Sequence, residues 1–157
     1  MSTSLWGWRL LRALMVASVL VTSAAVVGCC GDDKSKGGEA SPEDTAAAIT
    51  AAEKWMALID AGKYAESYDE TGALFRGAVT RDEWAAKAKG AREPLGALNS
   101  RTVASTAYSK TMPGAPDGEY VVITFNTSYA NKASAVETVT PSKETDGTWR
   151  VSGYYIK

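Results

Sequence analysis

Histidine is missing from all 157 residues, and the only two cysteines are adjacent, Cys29 and Cys30. Without histidine the commonest general base is gone, and with it every histidine-assisted serine mechanism. Together the two shortages exclude zinc sites built from Cys and His, so no metal is expected. Positive charge is scarce as well: 17 Lys and Arg stand against 18 Asp and Glu, and no block of basic residues occurs. The electrostatic footprint of a nucleic-acid binder is therefore absent. Long apolar runs are missing too. Ala13 to Val27 spans fifteen residues broken only by Ser and Thr, short of the roughly 18 to 20 apolar residues that cross a hydrocarbon core.

What is present begins with that run. Met1 to Arg12 carries Arg9 and Arg12 with no acid, the apolar stretch follows, and small Gly28 precedes Cys29. This is the order of a secretory signal, basic, then apolar, then a small cleavage residue. Val26-Val27-Gly28-Cys29 resembles a bacterial lipobox, so cleavage after Gly28 and lipid attachment at Cys29 are expected. A plain secretory signal with a free Cys29 and an uncleaved membrane helix are the competing readings. Several acyl chains, at ~0.8 kcal/mol per buried methylene, anchor stably where one is marginal. Cys30 at the position after the anchor, where Asp is not found, favours an outer-membrane destination in a host that has one. Cys30 itself is read as an inert tether residue, with an intermolecular disulfide as the sharper alternative.

Cleavage leaves 15 basic against 18 acidic residues, a formal charge of −3. Residues 29–41 continue as CCGDDKSKGGEAS, with no aliphatic side chain larger than Ala after the cysteines, and predict a flexible tether. Residues 42–157 then form one domain of 116 residues, long enough for a single core without disulfide or metal. Ser41-Pro42-Glu43-Asp44 is a helix start, with a hydroxyl cap, a proline whose missing N–H does no harm, and acids at the positive end of the dipole. Ile49, Ala52, Met56 and Ile59 give that helix an apolar face, and it stops near Gly62. A second segment runs irregularly from Lys63 towards Phe75. Thr80-Arg81-Asp82-Glu83 is a capping box that opens a helix ending before Glu93-Pro94. From about Ser100 the period changes to two, with runs at Thr102 to Ser109, Tyr120 to Tyr129, Ala133 to Thr140 and Trp149 to Ile156. Asp146-Gly147 marks the last hairpin. The predicted class is α+β: helices on one face of a curved, roughly four-stranded antiparallel meander.

Asp60-Ala61-Gly62-Lys63-Tyr64, Thr80-Arg81-Asp82-Glu83-Trp84, Arg92-Glu93-Pro94-Leu95-Gly96 with Arg101, Pro116-Asp117-Gly118-Glu119-Tyr120, Glu137-Thr138-Val139-Thr140 and Trp149 to Ile156 resemble the motifs of a small bacterial family of unknown function, of the DUF 4019 type. The resemblance covers nearly all of residues 45–157 and implies an exported or lipid-anchored protein with no activity attached. The order of elements is also similar to the nuclear transport factor 2-like, cystatin-like arrangement. That likeness implies a cavity between helices and sheet, which fold alone cannot assign to a task.

Candidate contacts follow from chemistry. Arg92 and Arg101 bracket Pro94-Leu95-Gly96, and two guanidinium groups can grip one carboxylate or phosphate. The alternative is that they pin the helix-to-strand loop through backbone carbonyls and Glu93 or Glu137. Trp55, Trp84 and Tyr155 belong to an aromatic set that either lines a pocket or forms the core. Glu137 or Asp60 could act as a base beside a tyrosine; the alternative for Glu137 is that it pairs with Arg101 or Arg92, or simply faces water. No catalytic constellation emerges, and no cofactor is expected. The resulting expectation is a non-enzymatic lipoprotein on the periplasmic side of the envelope, binding another envelope protein or its own copy. A small-ligand carrier using the helix–sheet cavity is the alternative, and a carboxylate-based enzyme the minor one.

Overall fold

A computed structural model describes residues 40–157. The leader, the Gly28–Cys29 junction and most of the tether lie outside the described residues. Four α-helices come first, α1 (Pro42–Asp60), α2 (Tyr64–Asp69), α3 (Ala73–Ala78) and α4 (Arg81–Arg92), closed by a 3-10 turn at Glu93–Leu95. Four strands follow, β1 (Leu98–Ser109), β2 (Tyr120–Tyr129), β3 (Lys132–Lys143) and β4 (Trp149–Ile156), in the spatial order β1-β2-β3-β4 with every neighbouring pair antiparallel. This is the α+β class and the meander expected. Among the described residues no helix is long and apolar enough to cross a membrane.

The helix boundaries follow their caps. Ser41 Oγ accepts from the Asp44 N–H at 3.0 Å, and the capping box at Thr80 and Glu83 is formed in both directions. Ala48, Ala52, Trp55, Met56 and Ile59 recur at helical spacing and are all buried, so α1 turns one stripe to the sheet. On the sheet side Val121, Ile123 and Phe125 of β2, Val139 of β3 and Val151 of β4 complete the same core.

Three details differ from the sequence reading. The irregular second segment is two short helices, because Thr71 leaves the helical path to form a parallel bridge with Val151, and the Gly72 N–H donates to the Val151 carbonyl at 2.9 Å. β1 starts at Leu98, ahead of the first alternating residue. β3 continues past Thr140 through Pro141, which sits at a register shift where its missing N–H is tolerated inside a sheet.

If one face of β2 is core and the other is not, neighbouring residues must respond oppositely. Phe125→Ala should lower stability by about 3 to 5 kcal/mol in urea unfolding, while Asn126→Ala, exposed on the other face, should stay within about 0.5 kcal/mol.

Candidate functional site

Two polar residues interrupt the inward apolar stripes of the central strands, Thr127 on β2 and Glu137 on β3. Glu137 has 0 % of its surface exposed. An isolated ion in such a place is strongly disfavoured, so its oxygens must be satisfied. They are: Oε2 accepts from Arg101 Nε at 2.7 Å and from the Thr127 hydroxyl at 2.7 Å, and Oε1 accepts from the Tyr154 hydroxyl at 2.6 Å. The register places these groups together, since Arg101 lies opposite Thr127, Phe125 opposite Glu137, and Val139 opposite Tyr154.

Arg101 carries the chain of contacts into the helical layer. Its Nη1 and Nη2 donate to the two oxygens of Asp60, the last residue of α1, at 2.6 and 3.1 Å. Asp60 also accepts from Arg92 Nε and Nη2 at 3.3 and 3.1 Å, and Arg92 Nη1 donates to the Gly96 carbonyl at 2.6 Å. The Arg92 guanidinium lies 4.2 Å from the centre of the Tyr129 ring, a cation–π contact. Gly96 itself has φ +76°, and a Cβ there would meet Asn131 at 3.0 Å, so this turn is built for glycine. The result is a chain Glu137–Arg101–Asp60–Arg92 with equal charge of each sign, buried at its two ends and partly buried at Arg101 and Asp60.

The electrostatics follow from the geometry. Burial raises the pKa of Glu137, but hydrogen bonds from Arg101, Tyr154 and Thr127 and the charge of Arg101 outweigh it and hold the carboxyl below its ordinary value. Burial works against the charge on Arg101, and its bonds to Asp60 and Glu137 more than offset this and raise its pKa. Tyr129 is pushed up to about 12, first by burial and then by Glu137. Tyr154 is raised by the same two causes. All four groups are thus fixed in their usual neutral-pH forms.

Of the residues singled out in the sequence, Arg92, Arg101 and Glu137 come together, and Asp60 joins them. Glu93 does not: it lies 3.8 Å from Lys89. Trp55 and Trp84 are buried neighbours, 5.7 Å between ring centres, and Tyr154 packs 5.2 Å from Trp55. Both indole N–H groups are used at Ser67, Trp55 on its carbonyl at 2.8 Å and Trp84 on its hydroxyl at 2.9 Å. Tyr155 points the other way, opposite Thr138, and is 58 % exposed. Thr127, Tyr129 and Tyr154 escaped the sequence reading as members of the network. The available signal was a hydroxyl on β2 and a carboxylate on β3, each in the middle of an inward apolar stripe. No group of three or more metal-ligating side chains occurs among the described residues.

Because the folded-state pKa of Glu137 is depressed, its contribution to stability is present above the ordinary carboxylate value of 4.5 and is lost as pH falls below it towards the folded value. Glu137→Gln should therefore destabilise the protein at pH 7 by about 3 to 5 kcal/mol. The gap between the variant and wild type should narrow when urea unfolding is repeated in strongly acid buffer.

No curated protein and no solved structure matches the chain. A protein family described as "Protein of unknown function (DUF4019)" matches residues 51–154. Every member of the network, from Asp60 to Tyr154, falls inside that span. With well over half its length matched, the chain belongs to the DUF4019 family.

Proposed function

We propose that this chain is a lipid-anchored envelope protein whose folded domain is a non-enzymatic interaction module. The anchor is supported by Val26-Val27-Gly28-Cys29 at the end of the basic and apolar leader. One observation carries the second half of the reading. The groups suited to act as a base or an anion receptor, Asp60, Glu137, Arg92 and Arg101, have their donors and acceptors engaged with one another and with Gly96, Thr127 and Tyr154. Proton transfer or ligand capture there would first have to break a buried or partly buried ion pair. The outer sheet face, by contrast, presents Asn126, Ser134, Val136 and Tyr155 to the surroundings. Contact with another envelope protein or a second copy suits that surface.

A second reading, a small-ligand carrier, draws on a cleft between α1 and β4. It is lined by Lys54, Trp55, Leu58, Glu70, Trp149 and Arg150 among others, with a volume of about 220 Å³. That is below the roughly 300 to 1,000 Å³ of sites for drug-sized ligands. Its two cations suit a small anion with an apolar body. Native mass spectrometry of protein purified from its own envelope tests it: a small co-purifying mass, lost on Lys54→Ala plus Arg150→Ala, favours the carrier.

The anchor has a direct test in cells fed radiolabelled palmitate. Wild type and Cys30→Ser should incorporate label, and Cys29→Ser should incorporate none. Equal labelling of Cys29→Ser would contradict the assignment.

A further inference from the structure

The two edges of the sheet differ. The outer side of β4 is covered by the segment between α2 and α3 of the same chain, through the Thr71–Val151 bridge and the Gly72 N–H. β1 is the opposite edge, and no strand or bridge covers its outer side among the described residues. Its residues from Thr102 to Ala107 are exposed on both faces, with Val103 at 41 %. A bare edge is a template for strand addition, and proteins guard it with lysine, proline, inward charge or a bulge. β1 has a bulge between Val103 and Ser105. The run beyond it, Ser105-Thr106-Ala107-Tyr108-Ser109, has no charge and no proline.

We propose that this run pairs antiparallel with the same run of a second copy, about a two-fold axis at Ala107. Two four-stranded sheets then become one of eight. In an isologous contact residue i meets j while j meets i. Thr106 of one copy therefore stands opposite Tyr108 of the other, Ser105 opposite Ser109, and Ala107 opposite Ala107. The first is a β-branched and aromatic cross-strand pair, a favourable kind, although Tyr108 already packs against the core and donates its hydroxyl to Glu119 at 2.8 Å, so only its remaining exposed side meets Thr106. The rest are small enough for close approach. No like charges meet anywhere along the run, which makes it complementary to itself. The chain's own tether is a poor competitor: CGDDKSKGGEAS has no β-branched or aromatic residue and four acidic or basic side chains in its first seven positions. This pairing names the partner of the interaction module and rests on that reading, but it does not require the lipid. Loss of palmitate labelling with self-association intact would remove the anchor and leave the pairing standing.

Two differently tagged copies of the full chain, co-expressed and extracted in mild detergent, test it. Ala107 is exposed, so Ala107→Lys and Ala107→Glu should fold as wild type, which circular dichroism checks. Wild-type copies should co-purify. Lys with Lys, and Glu with Glu, should recover roughly tenfold less, since like charges then face each other at the axis. A107K with A107E should restore recovery. Failure of wild-type copies to co-purify, or undiminished recovery of the same-charge pairs, would overturn the proposal.

Discussion

A carboxylate without exposed surface, Glu137, sits in the middle of the packed face of the sheet, and its need for partners organises the layers around it. Arg101 answers that need and creates another, because a guanidinium bonded to one acid still has donors to satisfy. Asp60 supplies the second acid. Its own position is unfavourable, at the negative end of the α1 dipole, and the two arginines offset that. Arg92 then ties α4 and the following turn to the same point through Asp60 and Gly96. One chain of ion pairs thus joins the ends of α1 and α4 to β1, and through Glu137, Thr127 and Tyr154 to the other three strands.

This arrangement bears on function through what it occupies. Two arginines flanking a turn would make an anion receptor if their donors were free, and a buried glutamate beside tyrosines would make a base if its pKa were raised. Here the donors are paired and the carboxyl is held down. Next to the network, Tyr154 joins Trp55 and Trp84, whose indoles are fastened to Ser67. Aromatic mass and charged groups both support packing, which leaves the outer sheet face, the α1–β4 cleft and the β1 edge as the surfaces for the contacts proposed above.

Much of the fold was legible because its signals are local. The Ser41 cap, the Thr80–Glu83 box, the alternation along β2 and the Asp146-Gly147 turn each act within a few residues. The Thr71 bridge was not legible, since it depends on Val151, eighty positions away. Nor was Pro141 readable as part of β3, because its register shift is set by β4. Chemistry of the right kind was visible at Arg92, Arg101, Glu137 and Asp60. The pairing of Arg101 with Glu137 and of Arg92 with a loop carbonyl was among the alternatives the residues offered. The joining of both arginines to Asp60 was not, as those contacts span 32 and 41 positions and depend on which side of each element faces inward. Tyr155 shows the limit of residue type alone: it neighbours Tyr154 in sequence, and the pleat sends the two to opposite faces.

The central claim is that these charges hold the fold together as a unit. A double-mutant cycle on Arg101→Met and Glu137→Leu, measured by urea unfolding at neutral pH, tests it most directly. Each single variant should lose about 3 to 5 kcal/mol by stranding a buried charge. The double variant should lose less than the sum, by about 0.5 to 3 kcal/mol, because neither charge is then left alone. Additive losses, or single variants as stable as wild type, would contradict the account and return these residues to the role of a binding site.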